Sequence, residues 1–243
     1  MKNYGLIGRT LKHSFSKDFF TEKFIKENTD ATYHNFEIAD IKEVKEILSR
    51  GDINGLNVTI PYKEAILPFL DDVSEEAKQI GAVNTITFNN GKVVGHNTDA
   101  YGFARSIKPF LKNTHHRALI LGTGGAAKAV AHVLENIGLD VLFVSREPEN
   151  EEHFTYSAIN SFMVQACGLI VNTTPVGMYP NVADMPEFPT QYLTKDHLVV
   201  DLIYNPEKTR FLEEAEKQGA EILNGLSMLK EQALKAYDLW NNN

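Results

Sequence analysis

LILGTGGAAKAVAHVLENIG, residues 119–138, is the stretch on which the fold turns. Ala118–Leu121 reads as a short buried strand, and Gly122, Gly124 and Ala127 then fit G-x-G-x-x-[G/A]. Ala126–Asn136 repeats its apolar residues at helical spacing, Gly138 closes that helix, and Asp140–Val144 is the next strand. Each small residue has a task. Gly122 permits the tight turn, Gly124 lets backbone approach a pyrophosphate, and Ala127 lets the helix pack on the strand. The free N–H groups at the helix start then face the anion. Strand, glycine turn, helix and strand in this order form a dinucleotide-binding unit. An NAD site usually carries an acid at the tip of the second strand. Here that tip is Val144-Ser145-Arg146, and Arg146 is placed to hold a 2′-phosphate and stack on adenine, so the motif points to NADP. Glu147 follows at once and would repel that phosphate if it pointed inward.

Outward from this unit, strands and helices alternate along almost the whole chain. On the N-terminal side the pattern gives strands at 4–7, 32–38 and 55–60, helical stripes at 18–28 and 41–48, and a helix at 75–80 capped by Ser74. Asn89-Asn90-Gly91 joins Thr85–Phe88 to Lys92–Gly95 as a hairpin. Tyr101–Leu111 is helical, and the polar break 112–116 follows it. His115 and His116 read there as solvated. Beyond Val144 come strands at 168–172, 198–201 and 221–223, with helices at 208–218 and 226–240. Such alternation implies parallel sheets, and the break near 100–116 implies two lobes. The pattern alone leaves open where the last helix packs.

The bulk properties narrow the function. The 243 residues, 43% hydrophobic and 23% charged, suit a globular enzyme or binding protein. A net charge of −8, without a basic cluster, argues against nucleic acid as a partner. Cys167 is the only cysteine, which excludes internal disulfides and fits a reducing cytoplasm. The opening MKNYGLIG lacks a signal-peptide core, and no apolar run reaches a membrane-spanning length. The histidines have no metal-ligand spacing, so no metal is expected.

Four polar clusters lie where strands end: His13-Ser14-Phe15-Ser16, then Thr59 with Lys63, then Asn84, then Asn97-Thr98-Asp99. In open parallel sheets ligands bind at the carboxyl ends of strands. Hydroxyls, an amide, a lysine and an aspartate gathered there suit a small polyol carrying a negative charge. Lys63 follows Pro61 on what reads as a first helical turn. Its cation answers the need of a ketone reduction, in which negative charge grows on the oxygen.

HSFS, NVTIPYKE, GAVNT, HNTDAYG, GTGGAAKAV, NTTPVGM, DLIYNP and NGLSMLKEQA occur in order across residues 5–237, and together they resemble the shikimate dehydrogenase family. The resemblance implies a two-domain α/β fold. Residues 1–100 with 226–243 would form the substrate domain, and 101–225 a Rossmann-type NADP-binding domain. Shikimate would lie in the cleft between them, against the nicotinamide. Ser14 and Ser16, helped by Tyr204, would hold its carboxylate. Thr59, Asn84, Asp99 and Gln232 would bind the ring hydroxyls, with Lys63 and Asp99 as the catalytic pair. Gly122, Thr123, Gly124, Gly125 and Ala126 would cradle the pyrophosphate, Ser145 and Arg146 would meet the adenosine, and Ile203 and Gly225 would line the nicotinamide side. The implied reaction is reversible NADPH-dependent reduction of 3-dehydroshikimate to shikimate in aromatic amino-acid biosynthesis, by a cytoplasmic monomer or homodimer. The alternative is a quinate/shikimate dehydrogenase using NAD. Where the family has Asn-Arg-Thr this chain has Ser145-Arg146-Glu147, and residues 147–167 are compressed, which implies a trimmed adenosine pocket.

Overall fold

The computed structural model of the chain describes residues 1–12, 14–148 and 153–242; His13, one of the polar-cluster residues, lies outside them. The chain divides into two compact units, Met1–Thr98 with Gln232–Asn243, and Asp99–Glu231.

The first unit is built on a six-stranded sheet in the order β2-β1-β3-β5-β6-β4. Its strands are β1 (Lys2–Gly8), β2 (Ala31–Glu37), β3 (Gly55–Val58), β4 (Asp72–Val73), β5 (Thr85–Asn89) and β6 (Lys92–His96). Helices α1 (Phe15–Lys26), α2 (Val44–Leu48) and α3 (Glu75–Ile80) connect them. β1 pairs in parallel with β2 and β3, as the alternation requires, but β3 meets β5 antiparallel, so this sheet is mixed. The β5–β6 hairpin, turned by Asn90 and Gly91 at positive φ, adds a second antiparallel pair. Ile7, Leu56, Val58, Ile66, Val83 and Ile86 are buried together beneath the sheet.

Two expectations are corrected. Lys63 lies in a run of turns, and the helix after it is only the 3-10 turn Leu67–Phe69. Pro68 contributes, because it has no N–H to give an α-helical bond to the Glu64 carbonyl. His115 is buried, only 5% exposed, with the Lys112 N–H directed at its Nδ1 at 3.3 Å. Burial, and to a lesser degree the Lys112 charge, lowers its pKa.

The second unit opens with α4 (Asp99–Ile107) and carries β7 (Arg117–Leu121), α5 (Gly125–Asn136), β8 (Asp140–Val144), β9 (His153–Phe154), α6 (Ser161–Ala166), β10 (Leu169–Asn172), β11 (Leu198–Asp201), α7 (Arg210–Lys217) and β12 (Glu221–Leu223). Its strands form one parallel sheet in the order β12-β11-β10-β7-β8-β9. β7 sits at the centre and the winding reverses between it and β10, which is the Rossmann arrangement and creates a switch point at their carboxyl ends. β7, β10 and β11 read as near-continuous apolar runs because both faces of each are buried.

The last helix, α8 (Leu226–Asn241), ends in the first unit, where Ala233, Ala236 and Trp240 pack with Tyr4, Phe20, Phe24 and Tyr33. The Trp240 indole stacks on Tyr4, with ring centres 4.7 Å apart, and its N–H donates to the Ile86 carbonyl at 3.0 Å. No helix among the described residues is long and apolar enough to cross a membrane.

Candidate functional sites

In the first unit, hydrogen bonds lace three strand ends together. The Thr59 N–H donates to the Ile7 carbonyl at 2.9 Å, Val58 N–H to the Asn84 carbonyl at 2.8 Å, and Val83 N–H to the Lys63 carbonyl at 2.8 Å. Thr59, Lys63 and Asn84 are therefore fixed by backbone bonds that arise from the register of β1, β3 and β5. Lys63 is half-buried. The Asn84 side chain, 3% exposed, accepts from the Thr98 N–H at 2.7 Å and donates to the Thr98 hydroxyl at 3.0 Å and to Gln232 Oε1 at 3.4 Å. Gln232 comes from α8, far along the chain, and is 8% exposed. Asn97 serves the scaffold, its amide donating to the Ala82 carbonyl at 2.9 Å.

Ser14 caps α1, its hydroxyl accepting from the Lys17 N–H at 3.4 Å, and Ser16 lies in the first turn of that helix. Ser14 also borders a polar groove of about 460 Å³ that Lys12, Lys17, Asn35 and Glu37 help to line. Thus the structure gathers Thr59, Lys63, Asn84 and Gln232 around one set of strand ends, while the serines stand at the head of α1. Asp99 begins α4, and so belongs to the second unit; it is 6% exposed and follows Thr98 directly in the chain.

In the second unit, the glycine turn stands at the switch point. Gly122 has φ +108°, and a Cβ there would lie 2.7 Å from the Thr173 hydroxyl, which itself donates to the Leu121 carbonyl at 2.7 Å. Glycine is required at 122 by conformation and by contact. Gly124 differs. It caps α5 in an extended conformation without a side-chain cap, and the space where its Cβ would stand is open. That open cradle beside the first N–H groups of α5 fits a pyrophosphate, with Thr123, Gly125 and Ala126 completing the turn. The Gly225 N–H donates to the Ile203 carbonyl at 3.0 Å, and a Cβ on Gly225 would fall on the Leu202 carbonyl. Ile203 and Gly225 are thereby joined. Tyr204, next in the chain, is half-buried.

At the tip of β8 the Ser145 hydroxyl donates to the Glu147 carbonyl at 3.0 Å, shaping the turn that carries the exposed Arg146 and Glu147. Burial raises the pKa of the Tyr156 hydroxyl, and the charge of Arg146 opposes that rise. A cation at this tip, with no acid at the carboxyl end of β8, suits a 2′-phosphate.

Sequence reasoning passed over one chemically distinctive group. Asp201 ends the apolar strand β11 with no exposure, accepting from Asn172 Nδ2 at 3.0 Å, Ile203 N–H at 3.1 Å and the Thr209 hydroxyl at 2.7 Å. Burial pushes its pKa up to about 6 despite those three donors. The signal in the sequence was an acid closing LVVD, a run otherwise wholly apolar.

Residues 6–86 match the family model of the shikimate dehydrogenase substrate binding domain. The chain is 38% identical over 261 residues to the NADP(+) shikimate dehydrogenase of Desulforamulus reducens, covering 97% of this chain and 88% of that protein. Among solved structures it is similar to the shikimate 5-dehydrogenase of Thermus thermophilus in complex with NADP(H) and shikimate, at 33% identity and a TM-score of 0.87, covering 100% of this chain and 94% of that one. It is also similar to the quinate dehydrogenase of Corynebacterium glutamicum in complex with NAD, at 30% identity and a TM-score of 0.87, covering 100% and 94%.

Proposed function

The chain belongs to the shikimate dehydrogenase family, and we propose that it catalyses the reversible reduction of 3-dehydroshikimate to shikimate, with Lys63 and Asp99 as the catalytic pair. It is an oxidoreductase whose cofactor is NADP. The observation that carries the reading is the glycine turn at the β7/β10 switch point, with its open cradle at Gly124, in a chain that also gathers Thr59, Lys63, Asn84 and Gln232.

Gly122 to Ala126 would hold the pyrophosphate, Ser145 and Arg146 the adenosine 2′-phosphate, and Ile203 and Gly225 the nicotinamide side. The bound cofactor supplies the hydride. Thr59, Asn84, Asp99 and Gln232 hold the ring hydroxyls, and Ser14, Ser16 and Tyr204 the carboxylate. The Lys63 ammonium hydrogen-bonds the carbonyl oxygen, stabilises its growing negative charge and delivers the proton. Asp99 orients the ammonium. The pairing is supported by the bonds that fix each partner's neighbourhood: Val83 holds the Lys63 carbonyl, and Asn84, next in the chain, holds the Thr98 N–H directly before Asp99. Such chemistry fits a cytoplasmic enzyme of aromatic amino-acid biosynthesis.

A second reading, oxidation of quinate as well as shikimate with NAD, is favoured by Glu147, an acid that follows Arg146 directly in the chain. One assay separates the two. The purified protein is given shikimate or quinate with NADP⁺ or NAD⁺, and cofactor reduction is followed at saturating substrate. Shikimate with NADP⁺ is expected to give the highest kcat/KM. In Arg146→Ala the ratio of kcat/KM for NADP⁺ over NAD⁺ falls about tenfold or more, the loss of one charge-assisted phosphate contact. No turnover of shikimate with either cofactor would overturn the main reading. An unchanged ratio in Arg146→Ala would remove that residue from cofactor choice.

A further inference from the structure

The first unit contains a buried polar chain whose members Tyr33, Asn57 and Thr85 the catalytic reading does not use. Tyr33, on β2, is 4% exposed and stacks on Phe20 with ring centres 4.8 Å apart. Its hydroxyl donates to Asn57 Oδ1 at 2.8 Å, and Ser16 stands one helical turn before Phe20 on the same face of α1, on the side of that helix that packs against Tyr33. Asn57, 5% exposed on β3, donates through Nδ2 to the Asn84 carbonyl and to the Thr85 hydroxyl, both at 3.2 Å. Thr85, fully buried, donates to Asn84 Oδ1 at 3.1 Å. From Asn84 the chain continues to Thr98 and Gln232.

The sense of each bond dictates the next. Asn57 Oδ1 can only accept, so the Tyr33 proton must point at it. The Asn57 NH₂ then faces Thr85, whose oxygen accepts and whose proton is left for Asn84 Oδ1 at 3.1 Å or the Thr98 oxygen at 3.2 Å. With its carbonyl thus occupied, Asn84 turns its NH₂ toward Thr98 and Gln232. The Tyr33 oxygen keeps its remaining lone pair for the Ser16 hydroxyl. Bonds in a dry interior polarise one another and act as a unit.

Resting on the function proposed above, we propose that Tyr33 and Asn57 form a relay that sets the Ser16 hydroxyl and the Asn84–Gln232 amides together, so that the two ends of the substrate site are positioned as one. Tyr33 and Asn57 are positioning residues that act through Ser16 and Asn84. The device makes recognition of the carboxylate end of a substrate and of its hydroxyl end mutually dependent. An analogue lacking its carboxylate loses part of its hydroxyl recognition too.

The test is Tyr33→Phe, which keeps the ring and its stacking on Phe20 and removes only the oxygen. Thr85→Val, nearly isosteric, breaks the relay at a second place. KM and kcat for shikimate are measured with Ser16→Ala and with the double variant Tyr33→Phe/Ser16→Ala, alongside thermal unfolding. Tyr33→Phe is expected to raise KM for shikimate about five- to tenfold while kcat changes less than about twofold, and its effect is expected to be non-additive with that of Ser16→Ala, as for residues of one network. Thr85→Val should raise KM in the same direction. KM for NADP⁺ should not move. A purely structural role would lower the unfolding temperature and reduce active protein without a selective KM shift. Unchanged KM in both single variants, or strictly additive effects in the double variant, would overturn the relay. Absence of shikimate turnover by the unaltered protein would instead overturn the function on which it rests.

Discussion

At the scale of single residues, charge placement decides the chemistry. Lys63 is half-buried, and its backbone carbonyl accepts from the Val83 N–H; the proposed reaction relies on its ammonium. Replacing it by alanine should lower kcat by about 10²–10⁴, the range for losing a positioned general acid, and leave KM within a few-fold. Separate determination of kcat and KM checks this, and near-normal kcat would remove Lys63 from the chemical step. Asp201 makes a different prediction, on stability. Its pKa is about 6 in the folded chain against 3.8 for the ordinary group. A folded value above the unfolded one means that the folded state holds the proton more tightly. The stabilising contribution is therefore complete below pH ~4 and is lost as pH rises through ~6, amounting to on the order of 2–3 kcal/mol. Asp201→Asn cannot titrate. The unfolding free energy of the unaltered protein relative to this variant should thus fall between pH 4 and 6 and stay level above. Denaturant melts at intervals of half a pH unit would reveal it, and a flat difference would show that the three donors outweigh burial.

At the scale of elements, the two turn glycines separate folding from binding. Gly122→Ala places a side chain at φ +108° and 2.7 Å from Thr173 Oγ1, so it should cost about 1–3 kcal/mol of stability. Gly124→Ala meets nothing within 4 Å and sits in extended backbone. It should leave stability within about 1 kcal/mol and weaken NADP binding by about tenfold or more, because the methyl enters the cradle. Calorimetric unfolding together with cofactor titration distinguishes the two, and equal stability losses would show that Gly124 is also there for the fold. These glycines were legible in the sequence because a strand, a turn and a helix surround them in fixed spacing. So were most strands, through short apolar runs ended by turn residues. The two-residue strands Asp72–Val73 and His153–Phe154 were not, because no period can appear in so few residues. The turn at Lys63 was misread as a helix because the local polar pattern hid the effect of Pro68. Tyr33, Asn57 and Thr85 read as ordinary strand residues. Their significance lies in partners 24 to 28 positions away, which only the register of β2, β3 and β5 reveals.

At the scale of the whole molecule, the two units differ in how the chain supplies them. The second is continuous, Asp99–Glu231, and its core residues Leu119, Leu121, Ile170, Val199, Phe211 and Leu212 all lie within it. The first is closed by the end of α8: without Ala233, Ala236 and Trp240 the rings of Tyr4, Phe20 and Tyr33 lose their cover, and Asn84 loses Gln232. Burying that aromatic face stabilises the first unit by several kcal/mol, at about 25 cal/mol per Å² of apolar surface. It follows that residues 99–231 expressed alone should fold. They should unfold in one cooperative transition by circular dichroism, bind NADP⁺ in a titration, and keep the Asp201 dependence between pH 4 and 6. Residues 1–98 alone should keep strand content but expose apolar surface, bind a hydrophobic dye, and show no sharp transition. Adding a peptide of residues 226–243 should restore order to the second fragment, with Trp240, the only tryptophan, reporting the docking by its fluorescence. A cooperative transition in residues 1–98 without the peptide would mean that the sheet and α1 alone suffice, and that α8 contributes Gln232 to the site but little to the fold.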